Sequence, residues 1–356
     1  MIALANLNDI EREAERRLPA SVYDYFAGGA NDETTLARNR AAWGERVVRP
    51  RQLVDVSHVD PSVEILGHRL SMPVLTAPCA FNALAHPDGE LGVAQATQDA
   101  GIAQVVSLQA TATLEGVAAV GGARWMQLAV LRDRGITRAI VERAESAGYT
   151  AICLTVDVPV LGRRERDIRS VFRLPEGIAM VNLSPYVPAD MADGDPSSRL
   201  SRFVNGLFDP GLTWDAVDWL CSITKLPVLT KGILTGADAV LAIEHGAAGV
   251  MVSNHGGRQV DGVSSTCEAL PEVAAAVGGR VPITVDGGIR RGMDVIRALA
   301  MGASATLIGR PYLWALAVDG TAGVRSMLDL LRSEIVVAMG LLGRPTVADI
   351  DGSLLA

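Results

Sequence analysis

The segment "SNHGGRQVDG" (253–262) follows the apolar run "AAGVMV" and sets a histidine three residues ahead of an arginine, where a buried strand ends. The chain holds five histidines. His255 is therefore a candidate general base, because imidazole changes charge near neutral pH. Asp157, at the end of "AICLTVD", could hydrogen-bond that ring, orient it and stabilise its protonated form. Arg258, and Arg164 in "GRRERD", carry guanidinium forks that match a carboxylate, although spacing alone reads Arg164 as a solvated surface residue. Lys231 in "PVLTKG" would set a cation against a ring that accumulates negative charge, or else form a buried structural ion pair. The turns "VDGGIRRG" (285–292) and "LIGRP" (307–311) bring glycines, helix N-termini, Arg290 and Arg310 together. Either turn alone is a tight βα connection; two adjacent ones read as a phosphate site, with Asp286 placed for ribityl or ribose hydroxyls.

The elements that must position these groups repeat along the chain. Short β-branched runs end in Gly, Asp, Asn or Ser and alternate with amphipathic stretches of helical length, which is the pattern of βα units. The strands are read at 73–79, 102–108, 124–130, 151–157, 227–232, 249–255, 282–288 and 304–310. Helices are read at 88–99, 133–147, 235–245, 267–277 and 291–301, and "TGADAVLAIEHG" carries a Thr cap and a closing Gly. Eight units predict one α/β domain over 1–356, a (β/α)8 TIM barrel, in preference to a doubly wound sheet. With a period of two, inward positions at the C-terminal strand ends are Ser107, Gln127, Ala129, Thr155, Asp157, Lys231, Ser253, His255, Asp286 and Arg310. A polar ring confined to that layer is the expected signature of an active site.

Three segments fall outside the repeat. Residues 1–50 read as a helical cap, with periodicity up to Pro19 and again to the glycine pair. Residues 63–72, "VEILGHRLSM", read as a short hairpin that could plug the barrel floor. Between strands four and five, 162–211 reads as a lid over the C-terminal face, since its middle, "NLSPYVPADMADGDPSSRLSRF", is too polar and too rich in Pro, Ser and Asp for a packed helix.

Composition sets the outer bounds. With 49% hydrophobic, 20% charged and 4% aromatic residues and 36 glycines, the chain reads as a folded soluble α/β protein. A formal charge of −8 argues against nucleic acid and anionic lipid as partners and for a small molecule. The four cysteines, Cys79, Cys153, Cys221 and Cys267, are scattered without metal-ligand spacing; no metal site is expected, and a reducing cytoplasm fits. The start lacks an apolar secretory core, and no apolar run approaches the ~18 residues of a membrane span.

The combination of "SNHGGRQ" with "DGGIRRG", together with "VYDYFAGGANDE", "MPVLTAPCA", "HPDGE", "LTVDVPVLGRRERDIR" and "IGRPYLWALA", resembles the FMN-dependent α-hydroxy-acid oxidases and dehydrogenases over nearly the whole chain. The resemblance implies FMN across the barrel mouth, contacted by the backbone at Pro78, Cys79 and Ala80 and by Ser107, Gln127, Thr155, Lys231 and Ser253. It implies that Asp286, Gly287, Gly288, Arg290, Gly309 and Arg310 hold the ribityl phosphate. It further implies that His255 takes a proton while a hydride equivalent reaches flavin N5, with Asp157 stabilising the imidazolium and Lys231 the reduced flavin. Arg258, Arg164 and Tyr25 would hold the carboxylate of an (S)-2-hydroxy acid. An oxidase returning electrons to O2, with Ala80 over the flavin, is expected ahead of a dehydrogenase or monooxygenase, and the likeness implies a homotetramer. An isopentenyl diphosphate isomerase would lack the His255 to Arg258 pair; a catalytically idle flavin-binding protein is the rival of another class. Two departures open the pocket: "QLAV" leaves Ala129 where the family has tyrosine, and "SLQAT" puts Gln109 where it often has a bulky aromatic. A substrate bulkier than glycolate, such as an aryl acid of mandelate type, is expected.

Overall fold

The computed structural model describes residues 5–186 and 206–356. Eight parallel strands close into a barrel: β3 (Val74–Thr76), β4 (Gln104–Val106), β5 (Arg124–Leu128), β6 (Ile152–Thr155), β7 (Val228–Ile233), β8 (Gly249–Val252), β9 (Ile283–Val285) and β10 (Ala305–Ile308), which pairs back onto β3. All eight expected strands are present, but each spans only three to six residues. Most runs bend away into βα loops before the ends read from sequence.

The barrel interior is filled from below. Leu75, Val105, Trp125, Cys153, Leu229, Met251 and Leu307 point inward and form one buried cluster. Residues two further along most of these strands, Ala77, Ser107, Gln127, Thr155 and Lys231, line the mouth. This is the layering that period-two alternation demands. The antiparallel hairpin β1 (Val63–Ile65) and β2 (His68–Leu70) closes the floor, placing Ile65 and Leu70 in the same cluster.

Above the opposite rim sits the helical cap, α1 (Leu7–Arg17), α2 (Ala20–Ala27) and α3 (Thr34–Gly44). Asn6 caps α1 by accepting from the amides of Asn8 and Asp9, and Pro19 and Gly28 bound α2, as the punctuation in the sequence requires. Around the barrel run α4 (Gly89–Ala100), α5 (Leu114–Val120) and α6 (Arg134–Ser146), then α7 (Glu165–Arg169) and α8 (Asp215–Ile223). They are followed by α9 (Gly236–Glu244), α10 (Thr266–Val277), α11 (Gly292–Ala300) and α12 (Arg310–Leu342). Thr235 caps α9 as its sequence predicts, and a reciprocal Ser265–Glu268 capping box starts α10. Residues 187–205 of the expected lid lie outside the described residues. Among the described residues, no helix is long and apolar enough to cross a membrane.

Candidate active site

His255 is held in place by backbone geometry before any catalytic partner acts on it. It sits just past β8 in a short 3-10 turn, His255–Gly257, with φ of 56°. A left-handed non-glycine residue costs of order 1–3 kcal/mol and persists where surrounding contacts over-determine it. The contacts are visible: the His255 amide donates to Ser253 Oγ at 3.1 Å, and Asn254 Oδ1 accepts from the Gly257 amide at 3.1 Å. Asn254 is fixed in turn by Asn39 of α3, the two side-chain amides exchanging hydrogen bonds of 2.8 Å. The next residue, Gly256, also has a positive φ of 64°, and a Cβ there would lie 2.7 Å from Arg310 Nη1 and displace that guanidinium.

The imidazole then meets Asp157: Nδ1 lies 3.0 Å from Oδ1. With Nδ1–H donating to the carboxylate, Nε2 is left to accept a proton. Burial, followed by the nearby Lys231 ammonium, lowers the His255 pKa below its ordinary 6.5 despite the opposing pull of Asp157. The ring is therefore neutral at pH 7 and competent as a base. Burial raises the Asp157 carboxyl, but His255 and Lys231 outweigh it and the net shift is downward.

Tyr25, Pro78, Cys79, Ala80, Ser107, Gln109, Gln127, Ala129, Thr155, Arg164, Lys231, His255, Arg258, Asp286, Gly287, Gly288, Arg290, Gly309 and Arg310 line one cavity at the barrel mouth. Two expected residues do not. Asp157 stands behind His255, and Ser253 is fully buried beneath the floor. There Ser253 Oγ donates to the Asp286 carboxylate at 2.8 Å and accepts from Lys231 Nζ at 3.1 Å. Ser253 contacts no cavity surface because Lys231 and Asp286, 3.8 Å apart, close over it. Lys231 faces the cavity and pairs with a buried carboxylate. A row of side chains crosses the back wall, with Ser107 Oγ donating to Gln127 Oε1 at 3.2 Å and Gln127 Nε2 to Thr155 Oγ1 at 3.0 Å.

Arg310 arrives differently from the sequence reading. Leu307 points inward, so Arg310 is out of phase with the strand and is instead the first residue of α12. Its guanidinium donates to the carbonyls of Phe26 (2.9 Å), Gly256 (3.0 Å) and Gly28 (2.7 Å). Arg258 Nη1 likewise donates to the carbonyls of Tyr25 and Gly28, and its guanidinium lies 5.2 Å from the Tyr25 ring centre. The Tyr25 ring also stacks on Phe172, with centroids 4.3 Å apart. The helix-terminus part of the phosphate expectation is also corrected at α11: the amides of Arg290 and Arg291 are occupied by Asp294.

The charges in this cavity do not balance. Lys231 faces Asp286 and His255 faces Asp157, while Arg164, Arg258, Arg290 and Arg310 crowd together with little anionic compensation. Burial, reinforced by neighbouring guanidiniums, lowers Arg310 to about 9; burial lowers Arg164 and Arg290 to about 10. Nε of Arg164 and Nε of Arg290 are buried without a hydrogen-bond partner. Such a cluster of buried guanidiniums is stabilised by anions supplied from outside the chain. Arg290, beside the glycines at 287–288, fits a phosphate, and the polar row and Lys231 fit the edge of a planar heterocycle. The residues present thus fit FMN. Arg164 and Arg258 remain as a second pair, suited to a carboxylate.

Sequence reasoning missed the apolar wall: Phe26, Leu108, Val158, Leu161, Phe208, Ile289 and Leu313. Val158 and Leu161 lie between Asp157 and Arg164 in "DVPVLGRR", and that position was the available signal. Phe208 comes from a segment without periodicity and gave none.

Known proteins agree with an FMN-binding chain. The model of the FMN-dependent dehydrogenase family matches residues 14–356. An L-lactate oxidase of Nostoc sp. is 48% identical over 355 residues, covering 98% of this chain and 97% of that protein. Glycolate oxidase 3 of Arabidopsis thaliana is 48% identical over 349 residues, covering 98% and 95%. A crystal structure of mandelate oxidase with (S)-4-hydroxymandelic acid superposes with a TM-score of 0.94 at 44% identity, covering 99% and 98%. The chain belongs to the FMN-dependent dehydrogenase family, alongside the 2-hydroxy-acid oxidases, and is an FMN enzyme.

Proposed function

We propose that the chain oxidises an (S)-2-hydroxy acid to the 2-oxo acid. The observation that carries the reading is the His255–Asp157 pair at 3.0 Å sharing a cavity with the Arg164 and Arg258 guanidiniums. The two arginines fit the substrate carboxylate, and the Tyr25 hydroxyl, kept protonated by burial, can donate to it. That places the adjoining carbinol before His255, which removes one proton; the ordered Asp157 carboxylate lowers the energy of the imidazolium that results. FMN, when bound, would supply the two-electron acceptor for the remaining hydrogen, with O2 as the final oxidant; His255 would give up its proton as hydrogen peroxide forms. Lys231 keeps a cation on the floor where negative charge accumulates during this transfer.

Ala129 and Gln109 line the cavity without filling it as aromatic residues would, and Val158, Leu161 and Phe208 add apolar wall. These support a substrate bulkier than glycolate, of aryl or branched type. Four unpaired cysteines support a reducing, cytoplasmic setting, and the family likeness supports a homotetramer. Anaerobic mixing with a panel of (S)- and (R)-2-hydroxy acids tests the proposal. Bleaching of the flavin by a bulky (S)-acid, followed by recolouring and peroxide when air is admitted, is the expected result. Bleaching by glycolate in preference to every larger acid refutes the substrate size, and no bleaching by any acid refutes the reaction.

A further inference from the structure

We infer that the substrate's side chain passes Ala129 into a second cavity, which makes this an enzyme for 2-hydroxy acids with extended apolar chains. This rests on the reading of the first cavity as a 2-hydroxy-acid site. Ala129, Thr155, Val158 and Phe208 line both cavities, so the two share a wall. Ala129, one residue beyond β5, puts only a methyl group into that wall. The second cavity continues outward between the ends of β5, β6 and β7 and the segment leading into α8. Its sides are Val130, Leu154, Leu212, Trp214, Val217 and Ile233.

Backbone pairing fixes this arrangement. Leu131 and Phe208 form an antiparallel bridge, the Arg132 amide donates to the Leu207 carbonyl at 2.9 Å and the Asp209 amide to the Val130 carbonyl at 3.2 Å. The acidic residues at the rim are already engaged: Asp209 pairs with Arg134 at 3.3 Å, and Asp238 accepts from Thr235 Oγ1 at 2.9 Å. No lysine or arginine is among the described residues that line this cavity. Among the described lining residues an anionic tail finds no cation to pair with, whereas an alkyl or arylalkyl chain gains burial. With the carboxylate at Arg164 and Arg258 and the hydroxyl at His255, the substituent on the carbinol carbon is the part free to enter.

The test is steady-state turnover of straight-chain (S)-2-hydroxy acids from lactate to 2-hydroxyoctanoate by the holoenzyme. We expect kcat/KM to rise about fourfold per methylene until the second cavity is full. Ala129→Leu, which narrows the passage, and Leu212→Trp, which fills the far side, should each cut the ratio of kcat/KM for 2-hydroxyoctanoate to that for lactate at least tenfold. Lactate serves as each variant's internal control. A flat or falling series in the unaltered enzyme, with lactate still oxidised, overturns the extension and spares the catalytic reading, as does a ratio unmoved in both variants. If no acid of any length is oxidised, the catalytic reading itself falls, and the extension with it.

Discussion

Replacing Asp157 by Asn tests the catalytic geometry most directly, because it removes one charge and keeps the shape. Its Oδ1 is 3.0 Å from His255 Nδ1, so the charge centres of carboxylate and imidazolium are about 4 Å apart. At an effective dielectric near 20 such a pair interacts by about 4 kcal/mol. If about half of a proton's charge has reached the ring in the transition state, about 2 kcal/mol is lost, a roughly 30-fold slower proton removal. The pH profile adds a readout that misfolding cannot imitate. His255 already titrates below 6.5 because burial and then Lys231 lower its pKa, while Asp157 pulls the other way. Without the carboxylate the pKa falls further. Since the base must be neutral, kcat/KM declines as pH drops through that pKa, and the decline in Asp157→Asn should begin at lower pH than in the unaltered enzyme. Anaerobic stopped-flow reduction of the flavin across pH, with a saturating and a limiting acid, measures both effects. A reduction rate within twofold of the original, or an acid limb that stays or moves to higher pH, refutes the assignment of Asp157 as partner to the base.

Arg258→Lys should cost about 2–3 kcal/mol in kcat/KM, roughly 100-fold, because an ammonium cannot keep two carbonyl bonds and also present a fork to a carboxylate; turnover of the acid against its uncharged amide checks it, and the loss should appear with the acid alone. Arg290→Met should weaken FMN binding about 100-fold while leaving the saturated rate within a few-fold, as followed by flavin fluorescence on titrating apoprotein. Gly288→Ala should lower the melting temperature by several degrees: Gly288 has φ of 87°, and a Cβ there would lie 1.9 Å from the Asn39 carbonyl oxygen, so the cap must move away from the barrel.

Period-two alternation made much of the site legible because it is a property of the extended backbone. Leu75, Val105, Trp125, Cys153, Leu229 and Met251 share one face, and Ser107, Gln127, Thr155 and Lys231 continue it upward. His255 and Asp157 were paired from sequence for the same reason, although both lie beyond the hydrogen-bonded strands, and His255 adopts a left-handed turn that no alternation predicts. Where the strand gives way to a helix the phase is lost, which is why Arg310 was placed on the wrong element. Helices α5, α8 and α12 were not read: α5 spans seven residues, α8 follows the polar segment, and α12 is interrupted at Asp319 and Gly320. Phe172 and Phe208 reach the site through contacts between remote segments, and such contacts leave no local pattern.

The three carbonyl bonds of Arg310 also order events in time. Phe26 and Gly28 leave the ribosome 282 or more residues before the arginine that binds their carbonyls, and Gly257, whose carbonyl accepts from the Ala30 amide, follows Ala30 by more than two hundred. The first helix, α1, packs on α12 and so gains its docking surface only when the last βα unit exists, whereas α3 can already dock on Asn254 and Gly287 while the barrel closes. A nascent chain arrested before residue 310 should leave α1 open to protease, and release of the complete chain should protect it.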